Sequence, residues 1–187
     1  MPRLIVDIDN TMGDCTGMMR DWLRHEGSTM PMPEPDAYDL SEATGWNLPD
    51  GFRETHHAMI EAWGYLLMDP YRFAAATLRD LRREGWELIA ATSREHSPTV
   101  MRETEEWCAL MGVGDVVFDP DKERTARRVG AAAAIEDNPS ALSALAGSGL
   151  RTLRIMHGYN RRSPGEPCAD WTDVRRLLGG KGNRHDR

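Results

Sequence analysis

Residues 4–11 read LIVDIDNT, an apolar run that ends abruptly in two carboxylates and a hydroxyl. A run of apolar, mostly β-branched residues this short predicts a buried strand. Because an isolated buried carboxylate is very costly, Asp7 and Asp9 are expected where the strand leaves its sheet. In open parallel sheets that carboxyl edge is where ligands bind. Two carboxylates there, with one residue between them, would attract a divalent cation.

The composition is that of a soluble globular protein with one core domain and room for a modest insertion: 187 residues, 40% hydrophobic and 28% charged. A net charge of −7 argues against a nucleic-acid grip built on basic patches and against anionic membranes. The three cysteines are widely separated, which favours neither a disulfide framework nor a zinc site and makes a cytoplasmic location the simplest expectation. No apolar stretch approaches the roughly 20 residues of a membrane span.

Downstream of the first strand, the apolar spacing predicts strands that alternate with helices. Strands are predicted over residues 87–91, 113–118, 131–135 and 151–156, and helices over residues 70–84, 98–110, 122–129, 140–147 and 171–178. The alanine run 131–134 favours helix by propensity, but it follows a helix stop at Gly130 and the alternation requires a strand there. Such alternation predicts an α/β fold, a Rossmann-like, doubly wound parallel sheet with right-handed crossovers.

Residues 14–68 interrupt this alternation. Helical spacing predicts one helix near residues 18–23 and another over residues 52–67, whereas three prolines between residues 31 and 35 exclude a regular helix there. A turn into a short helix is expected at residues 38–42, with Ser41 as its N-cap. We therefore expect an α/β core of residues 1–13 and 69–178, a small helical cap of residues 14–68 inserted after the first strand, and a disordered tail of residues 179–187.

Polar side chains follow the other predicted strands as well. They are Thr92 and Ser93 after the second strand, Asp119 after the third, Lys122 just beyond it, and Glu136 and Asp137 after the fourth. The strand ends thus bring together three kinds of group: acids that could hold a cation, a hydroxyl, and an ammonium. This combination suits phosphoryl chemistry. With an ordinary carboxyl pKa, Asp7 is expected to be ionised at neutral pH and can attack phosphorus. Thr92 and Lys122 can hold the equatorial oxygens, where charge resides during transfer.

These residues resemble the four motifs of the haloacid dehalogenase superfamily: Asp7-x-Asp9-x-Thr11 after an apolar strand, Thr92 after a second strand, Lys122, and Glu136-Asp137 after another strand. A narrower resemblance is to the 5'(3')-deoxyribonucleotidase family, the cytosolic type C nucleotidases. It rests on residues 135–139 (IEDNP), 92–94 (TSR), 157–161 (HGYNR) and the pair Asp170-Trp171. The family's usual glycine after the second aspartate is Asn10 here, and the fourth motif begins with Glu136 rather than Asp.

The resemblance implies a Mg²⁺-dependent phosphomonoesterase that acts through an aspartyl-phosphate. Asp7 would be the nucleophile, and Asp9 would protonate the leaving alkoxide and then activate water, for which a raised Asp9 pKa is expected. Mg²⁺ would be bound by the Asp7 carboxylate, the Asp9 backbone carbonyl and Asp137, with Glu136 in support. The residues expected to bind the phosphoryl group or the rest of the substrate are Thr92, Ser93, Arg94 and Lys122.

The substrate favoured by the resemblance is a (deoxy)nucleoside monophosphate. One alternative is another small phosphometabolite or a nucleic-acid 3'-phosphate end, although the net charge speaks against the polynucleotide. A second is a non-catalytic phosphate-binding module, against which the presence of Asp7 speaks. Stable nucleic-acid binding and membrane binding are not expected, and the oligomeric state stays open, with a homodimer among the options.

Several residues of the cap and of the last loop are open to more than one interpretation. Aromatic faces stack on nucleobases, so at least one of four aromatic residues is expected to line the pocket: Trp22, Trp46, Trp63 and Tyr65. Adjacent histidines on a helix point in different directions, so His56 and His57 are expected on a solvated surface rather than at a metal. Asn160 and Arg161 are expected to hold their loop in place rather than to contact substrate.

Overall fold

A parallel β-sheet forms the centre of the protein. The computed structural model describes residues 1–180, in which six strands form one sheet in the order β3-β2-β1-β4-β5-β6. The strands are β1 (Arg3–Val6), β2 (Glu87–Thr92), β3 (Asp115–Phe118), β4 (Ala131–Glu136), β5 (Arg151–Ile155) and β6 (Glu166–Cys168). All the pairings are parallel. The predicted doubly wound α/β fold is thus confirmed.

Seven α-helices accompany the sheet within these residues. They are α1 (Cys15–His25), α2 (Phe52–Trp63), α3 (Ala74–Arg83), α4 (Pro98–Met111), α5 (Lys122–Val129), α6 (Pro139–Gly147) and α7 (Trp171–Leu178). Side-chain caps begin several of them, for example Asp121, which accepts from the Arg124 amide before α5, and Asn138, which accepts from the Ser140 amide before α6. These caps satisfy amides that the first helical turn leaves without a partner.

Helices cover both faces of the sheet. Successive side chains of a strand point to opposite faces, so Leu4 and Val6 pack with α3, α4 and α7, while Ile5 packs against α5 and α6. A strand buried on both faces has no polar side to show, which explains the continuous apolar runs of β1 and β2. The alanine run was predicted correctly as a strand, since β4 pairs with β1 and β5.

The insert, residues 14–68, differs from the prediction in two places. The single helix predicted over residues 52–67 is divided, because Gly64 adopts a φ of 68° that ends α2, and a separate 3₁₀ turn follows at Tyr65–Leu67. The short helix predicted at residues 38–42 was wrong, since these residues form turns. The Ser41 amide and hydroxyl both donate to the Asp39 carboxylate, a local bond that competes with helix formation.

Two further elements depart from the sequence prediction. The helix predicted from residue 70 begins at Ala74, because Phe73 before it is left-handed with a φ of 68°. β6 was not predicted at all; it is short, contains Pro167 and lies at the sheet edge, where proline is tolerated.

The end of the chain is described only in part. Of the predicted disordered tail, Gly179 and Gly180 are described, and their amides donate to the Arg175 carbonyl and the Glu84 carboxylate. Residues 181–187 lie outside the described residues. Among the described helices, none has both the length and the apolar character needed to span a membrane.

The strand order places one crevice at the middle of the sheet. β1 pairs with β2 on one side and with β4 on the other. The chain moves outward from β1 in both directions, so the strand order reverses between β1 and β4. Ligands of open α/β sheets bind outside the carboxyl ends of the strands at such a reversal. Asp7, Asp9, Glu136 and Asp137 all lie at or just beyond the ends of these two strands.

Candidate active site

Asp7 is held at the sheet edge by the backbone on both sides of it. Its amide donates to the Ile135 carbonyl of β4 at 3.0 Å, and after it the chain turns sharply, with three successive amides, from Thr11 to Gly13, donating to the Ile8 carbonyl. Asn10 takes a left-handed φ of 55° in this turn, which asparagine tolerates better than most residues. Asn10 therefore serves where the family has glycine, and its side chain accepts from the Thr16 amide at 2.9 Å.

Three carboxylates meet beside this turn. Asp7, Glu136 and Asp137 each place one oxygen within 4.8 Å of the others, and all three residues are buried. Burial, with the charge of Glu136, raises the pKa of Asp7 to about 7, so the ordinary pKa expected for Asp7 from the sequence was wrong. Burial, with the charge of Asp7, also raises the pKa of Asp137. Buried like charges are unfavourable together, and a divalent cation among them would relieve that cost.

Lys122 supplies the positive charge of the cluster. It is the first residue of α5, and its buried Nζ donates to Asp7 Oδ1 and, at 2.9 Å, to Glu136 Oε2. Burial disfavours the ammonium form, but the two carboxylates outweigh burial and raise the pKa of Lys122 above its ordinary value. Lys122 therefore stays charged. The second oxygen of Glu136 accepts from the amides of Asp137 and Asn138, so Glu136 orients both the lysine and the β4–α6 turn.

Asp137 is oriented by two hydroxyls. Thr11 donates to Asp137 Oδ1 at 2.9 Å and Tyr159 donates to Oδ2 at 2.6 Å. The buried Asn160 side chain donates to the backbone carbonyls of Asp137 and Ile155, both at 2.8 Å, and so connects the loop after β5 to the β4–α6 turn. Asn160 thus holds the loop in place, as the sequence predicted. Tyr159 was not singled out from the sequence.

Asp9 has a different partner from the other acids. Arg94 Nε donates to Asp9 Oδ2 at 2.9 Å, and Arg94 Nη2 donates to Asp9 Oδ1 at 2.6 Å. Burial works against ionisation of Asp9, but the charge and hydrogen bonds of Arg94 outweigh it and hold the pKa of Asp9 below its ordinary value. The raised pKa predicted for Asp9 was therefore wrong, because the prediction considered the neighbouring carboxylate and not a buried arginine.

Of the remaining residues predicted to contact phosphate, one is buried beneath the cavity and two line it. Thr92 is buried at the end of β2, where its hydroxyl oxygen accepts from the Arg94 amide at 3.2 Å. Ser93 and Arg94 line the cavity above it. Asp119, the acid at the end of β3, instead pairs with Arg124 and accepts from the Thr125 hydroxyl, so it stabilises the start of α5. The predicted contacts of Thr92, Ser93, Arg94 and Lys122 with substrate stay predictions.

A cavity of about 1200 Å³ opens over these groups. Its floor includes Asp7, Asp9, Lys122 and Glu136, and its opposite wall comes from the insert, with Tyr38, Leu40, Phe52, His56, Trp63 and Tyr65. The volume exceeds the roughly 300–1,000 Å³ of typical small-molecule pockets. The cavity is therefore large enough to take a phosphate ester with a sizeable organic group.

At this wall the prediction for the aromatic residues is confirmed and the prediction for His56 is wrong. Trp63 and Tyr65 line the cavity, which confirms that at least one of the four aromatic candidates does so, whereas Trp46 is buried in the core. The solvated position expected for His56 was wrong: its ring lies between Phe52 and Tyr65, with centroids 5.6 Å and 6.0 Å away. The sequence did contain a signal for this contact: His56 follows Phe52 by four residues, which places both side chains on the same face of α2.

Comparison with known proteins identifies the family. No family model matches the chain. A relative from Chlorobaculum tepidum, named "Putative 5'(3')-deoxyribonucleotidase", is 30% identical over 182 residues, which cover 90% of this chain and 86% of the relative. The chain belongs to the 5'(3')-deoxyribonucleotidase family. As a member of this family within the haloacid dehalogenase superfamily, it is a phosphoric monoester hydrolase that acts on a small phosphorylated substrate.

Solved structures show the same fold as this nucleotidase-family enzyme. A haloacid dehalogenase-like hydrolase from Streptococcus pneumoniae matches with a TM-score of 0.65 at 13% identity, covering 95% of this chain and 98% of that one. A D,D-heptose 1,7-bisphosphate phosphatase from B. bronchiseptica, complexed with magnesium and phosphate, matches with a TM-score of 0.54 at 16% identity, covering 95% and 98%. At these identities the likeness establishes the fold alone.

The raised pKa of Asp7 gives the enzyme a pH-dependent stability. A carboxyl whose pKa is raised to about 7 on folding, from 3.8, contributes stability at low pH that is lost as the pH rises through that interval. In EDTA, we expect the Tm of the wild type to fall relative to that of Asp7→Asn between about pH 5 and about pH 7. Differential scanning calorimetry of both proteins in the same buffers measures this difference.

A cation bound at the same carboxyl would stabilise the protein more as the pH rises, the opposite of the trend in EDTA. A metal ligand must be deprotonated, so added Mg²⁺ should raise the wild-type Tm more at about pH 7 than at about pH 5. Comparison with Asp7→Asn cancels the contributions of histidines and surface acids. In EDTA, a wild-type Tm that stays constant or rises relative to that of the variant between about pH 5 and about pH 7 would contradict the raised pKa of Asp7.

Proposed function

We propose that this protein is a Mg²⁺-dependent 5'(3')-deoxyribonucleotidase that releases phosphate from (deoxy)nucleoside monophosphates through an aspartyl-phosphate on Asp7. One observation carries the proposal: Asp7, Lys122 and Glu136, from distant parts of the chain, meet on the floor of a cavity with an aromatic wall, and Asp137 lies buried beside them. The family relationship supports the nucleotide as substrate.

The donor set fits magnesium. The Asp7 and Asp137 carboxylates and the Asp9 backbone carbonyl would hold the ion, and Glu136 would support it through Lys122 and the β4–α6 turn. Mg²⁺ prefers an octahedral arrangement in which the protein supplies few of the oxygens, and water and phosphate supply the rest. When bound, the ion would offset the charge of the three acids and of the phosphoryl group.

The chain's own residues then divide the reaction into two steps. Asp7 would attack phosphorus, the ester oxygen would leave with a proton from Asp9, and water activated by Asp9 would later cleave the aspartyl-phosphate. Lys122 and Thr92, with Ser93, would bind the equatorial oxygens, where such contacts contribute most in the transition state. Because Arg94 holds Asp9 ionised in the free protein, the proton for the leaving oxygen would arrive with the substrate: the monoanionic form of the phosphate ester would pass its proton to Asp9 before the first step.

The insert would act as the cap of the site. Its residues Tyr38, His56 and Tyr65 form the wall that faces the phosphate floor. A wall of this kind would exclude water and select the leaving group by shape. Flat aromatic faces are suited to a nucleobase. We therefore propose that residues 14–68 determine which ester is accepted, while the strand ends carry out the chemistry.

A phosphate-release panel tests this proposal. Purified protein with Mg²⁺ should hydrolyse deoxyribonucleoside and ribonucleoside monophosphates, and hydrolyse triphosphates poorly, because the cavity also carries the acidic residues Glu61, Glu95 and Glu103. The panel should include sugar phosphates and an oligonucleotide with a 3'-phosphate end, with Asp7→Asn as the blank. Good turnover of a sugar phosphate without turnover of any nucleotide would contradict the proposed substrate.

A further inference from the structure

Arg94 is a buried arginine whose guanidinium is enclosed by the protein. Its side chain is 2% exposed. Nε and Nη2 donate to the two carboxylate oxygens of Asp9, Nη1 donates to the Thr104 hydroxyl at 3.0 Å, and the Tyr65 ring covers one face, with its centroid 3.5 Å from Cζ. The edge and a face of the guanidinium are therefore occupied by protein groups, which leaves little of it for a direct contact with substrate.

We propose that Arg94 is a positioning residue that fixes the plane of the Asp9 carboxylate toward the leaving oxygen, and that it does so from an anchor it shares with the insert. The proposal rests on the proposed phosphatase reaction, because it assigns Arg94 a role through Asp9. It differs from the substrate contact predicted for Arg94 from the sequence.

The geometry of the pair carries the positioning role. The terminal torsion of an aspartate is broad and roughly two-fold, so a carboxylate with one hydrogen bond can rotate. A guanidinium that donates to both oxygens at 2.9 Å and 2.6 Å fixes the carboxylate plane. Misplacing a proton donor by a small distance costs much of the rate that it supplies. A lysine at this position would keep the charge but could not hold both oxygens.

The second half of the anchor comes from α4 and the insert. Thr104 of α4 holds Nη1, and Glu103 next to it accepts from the Tyr65 amide at 3.0 Å, which fixes the 3₁₀ turn of the insert over the guanidinium. Gly64, which precedes this turn, has its α-carbon so close to Glu103 that an added methyl group would lie 2.7 Å from a carboxylate oxygen. The insert wall and the Asp9 carboxylate are thus held by one group of contacts.

Leaving groups that differ in their need for a proton test this role. The value of kcat/KM reports only the steps up to transfer of phosphate to Asp7, in which Asp9 acts as proton donor. Arg94→Met should lower kcat/KM for a nucleoside monophosphate by about 10²-fold, through kcat with little change in KM, since general acid–base catalysis supplies at least that factor. For p-nitrophenyl phosphate, whose phenolate leaves without a proton, the loss should be less than about tenfold.

Two further variants test the same role if Arg94→Met folds poorly. Arg94→Lys should recover only part of the loss, and Thr104→Val, which keeps both bonds to Asp9, should show the same leaving-group dependence at smaller size. Arg83→Met is the matched control, because Arg83 is an exposed arginine that also pairs with an aspartate; it should match the wild type.

The outcomes separate this role from the proposed function. Equal losses on both substrates in Arg94 variants that fold, or a raised KM with unchanged kcat, would overturn the positioning role while leaving the phosphatase activity established. A wild-type protein that releases phosphate from neither substrate in Mg²⁺ would overturn the proposed function and the role together.

Discussion

Replacing Asp7 by Asn should abolish phosphate release, lowering kcat by at least about 10³-fold, as loss of a nucleophile does in other hydrolases. An amide cannot attack phosphorus, and it offers the cation a neutral ligand in place of a carboxylate. The Asp7 carboxylate lies against Lys122, directly after the end of β1. Release of inorganic phosphate from a nucleoside monophosphate in Mg²⁺ measures the effect.

The fold should survive this substitution. Asn has nearly the same shape as Asp, and it removes a buried carboxylate whose ionisation burial opposes. The thermal transition in EDTA should therefore lie at or above that of the wild type near neutral pH. Asp21→Asn is the matched control, because the Asp21 side chain is 68% exposed on α1 and should affect neither activity nor stability. Retained turnover in Asp7→Asn would refute the nucleophile assignment.

Removal of divalent cations should produce the second large loss. After dialysis against EDTA, the activity should fall at least about 10²-fold, because the three neighbouring carboxylates then repel the phosphate and burial favours a protonated Asp7. Readdition of Mg²⁺ should restore the activity. The measurement is phosphate release against free Mg²⁺ concentration at a fixed pH near 7.

The Asp137→Asn variant tests whether the loss of activity in EDTA comes from a cation at the acid cluster or from another effect of the treatment. The variant keeps oxygen on the side chain but loses the charge, so it should need a higher Mg²⁺ concentration for half of its maximal activity. One of the two hydroxyls, that of Thr11 or that of Tyr159, can still donate to this oxygen. The other can rotate to accept from the new amide nitrogen, which limits the structural disturbance. EDTA-treated wild type that keeps full activity, or an Asp137→Asn variant with unchanged Mg²⁺ dependence, would contradict a cation at the acid cluster.

The sequence was sufficient for the parts of the fold that have a local cause. Burial on both faces produces the apolar runs of β1 and β2, and a carboxylate cannot remain inside such a strand, so Asp7 marks the sheet edge. Parallel strands bring their carboxyl ends together, so the sequence predicted that Asp7 lies close to Glu136 and Asp137. The resemblance to the haloacid dehalogenase motifs then indicated that the protein is a phosphatase.

The parts that the sequence missed depend on contacts between distant residues. Arg94 and Asp9 lie on different strand ends, and no local pattern shows that their side chains pair within a buried space. The bond from Tyr159 to Asp137 is of the same kind. Gly64 shows the limit for secondary structure as well: a glycine in an amphipathic run is compatible with a continuous helix, and only its left-handed φ divides the run.

The most direct test of the account is a crystal structure of the protein with Mg²⁺ and beryllium trifluoride, a mimic of a phosphoryl group on a carboxylate. We expect beryllium to be joined to a carboxylate oxygen of Asp7, Mg²⁺ to contact Asp7 and Asp137, and Lys122 to lie against a fluorine. Beryllium on another residue, or a cation bound away from Asp7 and Asp137, would contradict the central claim that these side chains form one phosphoryl-transfer site.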